Sequence, residues 1–336
     1  MGHHVKVSAL DLGMIRDGEQ ERDTITSMTR LAQYLDTLGY TRYWISEHHN
    51  MANLVSSATV VLIQHMLAQT THIRVGSGGI MLPNHAPLIV AEQFGTLETL
   101  YPNRVDLGLG RAPGTDMATA SALRRDQHQG VYAFPEEIDQ LATYFGPAQQ
   151  QQFVKAYPAV NTHVPLYVLG SSTDSAYVAA RKGLPYVFAG HFAPTQMKEA
   201  LNIYRTYFEP SEVLDAPYVM VGMSVIMADT DEEAHLLAST LALATAGILS
   251  GRQWPMQPPT TSLEAVLSPE MLSRTTQKIN HSFVGSPKSV AQKLEQFVQT
   301  YGHVDEFIAV SYIYDTAKQH HSYKLFKDTV DQTFNQ

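Results

Sequence analysis

Eight short apolar runs, each followed by a stretch of helical periodicity, restrict this chain's fold more than any other feature. The runs fall at 5–12, 42–46, 73–82, 104–109, 165–170, 185–189, 218–227 and 305–312. Between them apolar residues recur at helical spacing. Ile25, Met28, Leu31, Leu35 and Leu38 precede Gly39, and Val290, Leu294, Phe297 and Tyr301 precede Gly302. Helices are also expected at 59–69, 88–100, 173–182, 194–208 and 318–334. Ser286-Pro287 supplies an N-cap and a first helical residue. The run at 218–227 is apolar at nearly every position, as a strand covered on both faces requires.

Alternating strand and helix units build either an open doubly wound sheet or a closed barrel. A count of eight strands favours the α/β class in its closed form, the (β/α)8 TIM barrel. Two stretches break the rhythm, 111–164 after the fourth strand and 229–285 after the seventh. The first is rich in Gln, Ala and Pro and is expected to hold two helices. The second is expected to hold a helix at 231–249 and a loop through Trp254-Pro255-Met256-Gln257-Pro258-Pro259. Both insertions follow strand C-terminal ends, where barrel enzymes build their active sites. The chain therefore reads as one domain, 1–336, with two insertions.

Composition removes several function classes. There is no cysteine, so disulfides, thiolate metal centres and cysteine nucleophiles fall away together, which fits the cytoplasm. The 23 basic residues are scattered among 32 acidic ones and leave no footprint for nucleic acid. No apolar stretch approaches the roughly 20 residues of a membrane helix. Residues 1–6 lack the basic-then-apolar pattern of a secretory leader, and His3 and His4 receive no function.

Four places carry candidate chemistry. The second strand ends in Ser46-Glu47-His48-His49-Asn50. A carboxylate and two imidazoles at a strand's C-terminal rim suit acid/base work, or they brace a loop through hydrogen bonds. A metal reading is weaker, because neighbouring side chains on a strand point to opposite faces and His48 and His49 do not easily share an ion. The third strand contains Gly76-Ser77-Gly78-Gly79, which either bares backbone to a flat ligand or relieves crowding inside the barrel; the ligand reading is preferred. His85, in the turn that follows, reads as a loop residue. The fourth strand runs into Gly108-Leu109-Gly110-Arg111-Ala112-Pro113-Gly114, a glycine-rich rim with a guanidinium suited to phosphate. The fifth ends Gly170-Ser171-Ser172-Thr173-Asp174-Ser175 and enters a helix, whose first amides attract anions. Arg111 and Ser171-Ser172 sit on consecutive rim loops, so both are expected to face one phosphate.

These runs, with Ser8-Ala9-Leu10-Asp11, resemble the bacterial-luciferase-like flavin monooxygenases in order and spacing over roughly residues 5–330. The likeness is to the single-chain oxidoreductases of that superfamily. It implies a barrel holding FMN at its C-terminal mouth, with His48 as the catalytic histidine and Glu47 and His49 beside it. It further implies a non-proline cis peptide at Gly78–Gly79 against the flavin ring. Arg111, Gly170, Ser171, Ser172 and Ser175 correspond to the phosphate region, and Gly190 lies near the same mouth. The implied reaction uses reduced FMN, delivered by a separate reductase, and molecular oxygen to oxidise a small organic substrate in a homodimer. Three other readings stay open: deazaflavin-dependent hydride transfer, flavin binding without catalysis, and metal-dependent hydrolysis around Glu47-His48-His49.

Overall fold

The computed structural model describes residues 4–112, 114–123 and 133–335. Pro113 of the rim loop, the middle of the first insertion and His3 lie outside the described residues. Every strand pairing is parallel. The strands are β1 (Lys6–Asp11), β2 (Arg42–Ile45), β3 (Arg74–Met81), β4 (Val105–Gly110), β5 (Leu166–Gly170), β6 (Tyr186–Phe188), β7 (Val219–Met227), β8 (Phe283–Gly285) and β9 (Glu306–Val310). Neighbours run β6-β5-β4-β3-β2-β1-β9-β7, and β6 also pairs with β7, so eight strands close a ring. These are the eight read from the sequence. The ninth, β8, pairs only with the far end of β7, from Val225–Phe283 to Met227–Gly285.

The helices around the ring are α1 (Glu21–Thr37), α2 (Thr59–Gln69), α3 (Pro87–Leu100), α4 (Met117–Leu123), α5 (Phe134–Phe145), α6 (Thr173–Arg181) and α7 (Met197–Thr206). The series continues with α8 (Asp231–Leu249), α9 (Leu263–Val266), α10 (Pro269–Asn280), α11 (Pro287–Tyr301) and α12 (Thr316–Phe334). In the first insertion α4 and α5 are the two helices expected. The second is more regular than expected. After α8 it carries α9, α10 and β8 where only a loop was foreseen. Ser268 caps α10 by accepting the Met271 N–H, and Pro269 takes the first helical position. That is the same device by which Ser286 caps α11.

Side chains on the ring alternate between two cores. Val7, Tyr43, Val75, Leu107, Phe188 and Phe307 face outward under α1, α3, α11 and α12. Leu10, Trp44, Tyr167, Val187, Met220 and Ile308 fill the interior. Strand β7 is buried at all nine positions, which accounts for its unbroken apolar sequence.

At the N-terminal ends of the strands the interior is charged. Arg42 donates to Glu306 at 2.7 and 3.0 Å, to Asp106 at 2.9 Å and to the Tyr167 hydroxyl at 2.7 Å. Arg74 donates to the other Asp106 oxygen at 2.8 Å. The Trp44 indole reaches Asp106 at 3.1 Å, and the Tyr218 hydroxyl reaches Glu306 at 2.9 Å. Two guanidinium groups and two carboxylates thus cancel beneath the apolar layer. Burial works against the Arg42 charge, but Glu306 and Asp106 hold its pKa well above the usual arginine value.

Candidate active site at the barrel mouth

Beyond β2 the chain turns over the rim, and hydroxyls set its course. Ser56 donates to the Leu12 carbonyl at 3.0 Å, and its oxygen lies 3.2 Å from Ser46 Oγ. Ser46 Oγ is 3.1 Å from His48 Nδ1. The imidazole is therefore fixed through Nδ1, and no described residue hydrogen-bonds its Nε2. Burial lowers the His48 pKa, with Glu47 opposing and His49 adding to the effect. At neutral pH His48 is an uncharged group able to give or take a proton.

Glu47 has a different role. It is 2% exposed. One of its oxygens accepts from His49 Nε2 and His85 Nε2, both at 2.8 Å, and the other accepts the Met81 N–H at 3.0 Å. Burial alone would raise the Glu47 pKa. The bonds from His49 and His85, the His85 charge and the Met81 amide outweigh it and bring the value to about 2. An ionised carboxylate only accepts, so both imidazoles carry a proton on Nε2. The three residues expected to act together are therefore divided. Glu47 and His49 form a bracing cluster with His85, a residue that by sequence reads only as part of a loop, while His48 stands apart. The ligand atoms of Glu47, His49 and His85 all lie within 4.8 Å of one another. This compact group excludes His48 and recruits the next rim loop.

The Gly78–Gly79 peptide is cis, as the resemblance implied. The pairing of β3 with β4 shifts register between Ser77 and Ile80 at the same point. The glycines sit in tight surroundings. An added Cβ would lie 2.3 Å from the Asp106 oxygen at Gly76, 2.7 Å from Leu10 Cδ1 at Gly78 and 2.7 Å from the Gly108 oxygen at Gly79. At Gly76 and Gly79 the obstructing atom is main chain of the next strand, so crowding suffices there, whereas at Gly78 it is the end of the Leu10 side chain.

The loops after β4 and β5 meet. Both terminal nitrogens of Arg111 lie 3.2 Å from Asp174 Oδ2, and the Arg111 side chain is 34% exposed. Asp174 belongs to the first turn of α6, whose N-cap is Ser172. Ser172 makes no capping bond through its side chain. No described residue hydrogen-bonds the Ser171 or Ser172 hydroxyl, and amides at a helix start are of the kind that attract anions. Ser175 is 2% exposed, donates to the Ser172 carbonyl at 2.7 Å and lies 3.0 Å from the Tyr186 hydroxyl. A Cβ on Gly170 would sit 2.1 Å from Ser175 Oγ. These two residues shape the turn from beneath.

Gly190 is buried, with room for a Cβ closed by Met223 Sδ at 2.8 Å. The chemistry lies one residue further on. His191 Nδ1 is buried without a hydrogen-bond partner. Burial, Lys278 and His48 push the His191 pKa down to about 3 against the Gly222 carbonyl. Lys278, from α10, donates to the His191 carbonyl. Sequence reasoning missed both residues. His191 directly follows the glycine it did select, whereas Lys278 lay in the segment read as loop. No helix among the described residues is long and apolar enough to cross a membrane.

The pattern of the protein family described as luciferase-like monooxygenase matches residues 6–303. The uncharacterized protein YddN of Bacillus subtilis is 46% identical over 98% of this chain and 96% of its own. A luciferase-like monooxygenase of Escherichia coli is 39% identical over 98% of each. Among solved structures, that of apo-MsnO8 superposes with a TM-score of 0.90 at 31% identity, covering 98% of this chain and 99% of the other. Two neighbours share the fold alone. One is the oxygenating constituent of a Pseudomonas putida diketocamphane monooxygenase in complex with FMN (TM-score 0.71, 17% identity, 98% and 99% covered). The other is an F420-dependent secondary alcohol dehydrogenase (TM-score 0.68, 14% identity, 97% and 99% covered).

Proposed function

The chain belongs to the luciferase-like monooxygenase family, and on that premise we propose that it is an FMN-dependent monooxygenase that oxidises a small organic substrate with molecular oxygen. One observation carries the choice of a phosphate-bearing flavin: Arg111 reaches the first turn of α6 beside the unspent hydroxyls of Ser171 and Ser172. A guanidinium, two hydroxyls and helix-start amides make a phosphate cradle, in which the exposed Asp174 carboxylate engages the arginine. Reduced FMN bound there supplies the electrons that activate oxygen. The protein's own part is positional. Arg111, Ser171 and Ser172 would hold the phosphate, and the Gly78–Gly79 backbone would lie on the ring side. Glu47, His49 and His85 keep the second and third rim loops in register. His48 moves a proton at Nε2, the ring atom no described residue engages. Helices α8 to α10 cover the substrate side and limit water.

Reduced flavin comes from a separate reductase, in keeping with the FMN-bound neighbour being the oxygenating constituent of its system, and the cytoplasm is the setting that fits. Pairing through α2 and α3 is supported by exposed Val61 and Ile89 at 67% and 48%, and light scattering of the purified chain reads the dimer directly.

The decisive experiment titrates the protein with reduced FMN and, separately, reduced deazaflavin, then admits oxygen. FMN binding with oxygen-dependent substrate oxidation supports the reading. Binding of deazaflavin alone would transfer the site to hydride chemistry, and FMN binding without turnover would make it a flavin carrier. His48→Ala should slow substrate oxidation by about 10²–10⁴-fold, the usual range for a general acid/base, with FMN affinity almost unchanged. Unaltered turnover would remove His48 from the chemistry.

A further inference from the structure

Lys278 is a cation left without a counter-charge at the mouth. It is partly buried on α10, and among the described residues its ammonium bonds to the carbonyl of His191 alone. No described carboxylate stabilises it, and burial brings its pKa to about 8. The contrast with Lys293 is direct. Lys293 also donates to a backbone carbonyl, that of Val284 at 2.8 Å, but it feels the charge of Asp231, which the Ser286 amide and Ser289 hydroxyl fix in place. Removing a charge from water without a partner costs several kcal/mol, so an unpaired half-buried ammonium is expensive unless something else completes it.

The neighbours of Lys278 do not complete it. His191 is uncharged at neutral pH and its Nδ1 has no partner. His48, also uncharged, is close enough to His191 to affect its titration. One corner of the mouth therefore gathers a bare cation, an unpartnered ring nitrogen and the histidine assigned to proton transfer. An oxyanion fits there, since it accepts from Lys278 beside two uncharged imidazoles. The flavin's phosphate is the other possible source of an anion. It is already provided for by Arg111 and Ser171-Ser172 after β4 and β5, whereas Lys278 stands over the loop after β6.

Resting on the flavin reading above, we propose that Lys278 is a specificity-determining residue and that the substrate carries an anionic group, a carboxylate or sulfonate, held against it beside His48.

The test is calorimetric binding to the full chain, with and without FMN, of octanoate, octane-1-sulfonate and neutral octanamide. The parent should prefer the anions by about tenfold or more, as one charge-assisted contact allows. Lys278→Met should abolish that preference while keeping octanamide affinity and melting temperature. Lys278→Arg should retain it. Equal affinity for acid and amide, no binding of any probe, or a preference that survives Lys278→Met would overturn the proposal. A Lys278→Met chain that loses FMN but not riboflavin would assign the lysine to the cofactor phosphate and overturn it too. Should the parent bind anions but not FMN, the flavin reading fails while the anion site stands.

Discussion

Arg42 and Lys278 are both cations held inside this protein, at opposite ends of one barrel, and their surroundings differ in kind. Arg42 has Glu306, Asp106 and Tyr167 within hydrogen-bond reach, and Arg74 completes a neutral set. Lys278 has a single carbonyl. The floor is finished by the chain itself, so its charges serve architecture. The mouth is finished only in part. The Glu47 cluster is closed like the floor, but His48 Nε2, His191 Nδ1, Lys278 and the Ser171-Ser172 hydroxyls are left over. Buried polar groups are normally satisfied, so several left over together at a strand-end rim make it a place to seek a ligand.

The contrast can be broken most forcefully at the floor. Arg42→Met leaves Asp106 and Glu306 buried without their main partner and should cost about 3–5 kcal/mol of stability, the usual result of removing one member of a buried pair. Chemical denaturation reads it, and a variant as stable as the parent would show that the floor is not a closed network. Next comes the closed part of the mouth. The Glu47 pKa is depressed to about 2 from 4.5. Its stabilisation is therefore fully present above about pH 4.5 and is lost as pH falls toward 2, and it amounts to roughly 3 kcal/mol at neutral pH. Glu47→Gln should show that deficit at pH 7, and the gap to the parent should narrow through the acid range. A constant gap would deny that the carboxylate charge is what His49 and His85 hold.

The smallest effects lie at the open rim. Arg111→Ala should weaken FMN by about tenfold, one charge-assisted phosphate contact, and leave riboflavin unaffected; fluorescence titration of both flavins decides. Asp174→Asn should change stability by less than about 1 kcal/mol, because the pair is exposed. It should also tighten FMN by freeing the guanidinium. Weaker FMN binding in that variant would mean Asp174 orients Arg111 and does not compete for it.

Much of the frame was legible because period and burial coincide. The eight ring strands read correctly since each is either apolar throughout, like β7, or alternates between the two cores. Helix α2 was read at its observed limits, residues 59–69. Helix α10 was not, because only Thr275 on it is fully buried and an apolar stripe is therefore weak. Its Ser268-Pro269 start was the available signal, identical in kind to the Ser286-Pro287 that was used. At the site, the meeting of Arg111 with α6 followed from strand order alone. The division of Glu47 from His48 did not, since it depends on His85 arriving from another loop. Nor could sequence weigh the glycines, whose neighbours lie across a strand register that only the folded chain defines.

The stub strand β8 has a consequence for how this barrel can change. Segment 228–282 leaves the wall at the tip of β7 and comes back to lie along that same tip. Departure and return are stitched together by a few amide bonds, so the excursion is a pouch hung from one post. Its base, α8, belongs to the interior core through Ala234, Leu237 and Leu241, so the exchangeable part is the outer one, α9 and α10 with Lys278. Diversification of the molecules this scaffold accepts can proceed by trading pouches while the foundation laid by Arg42 stays the same.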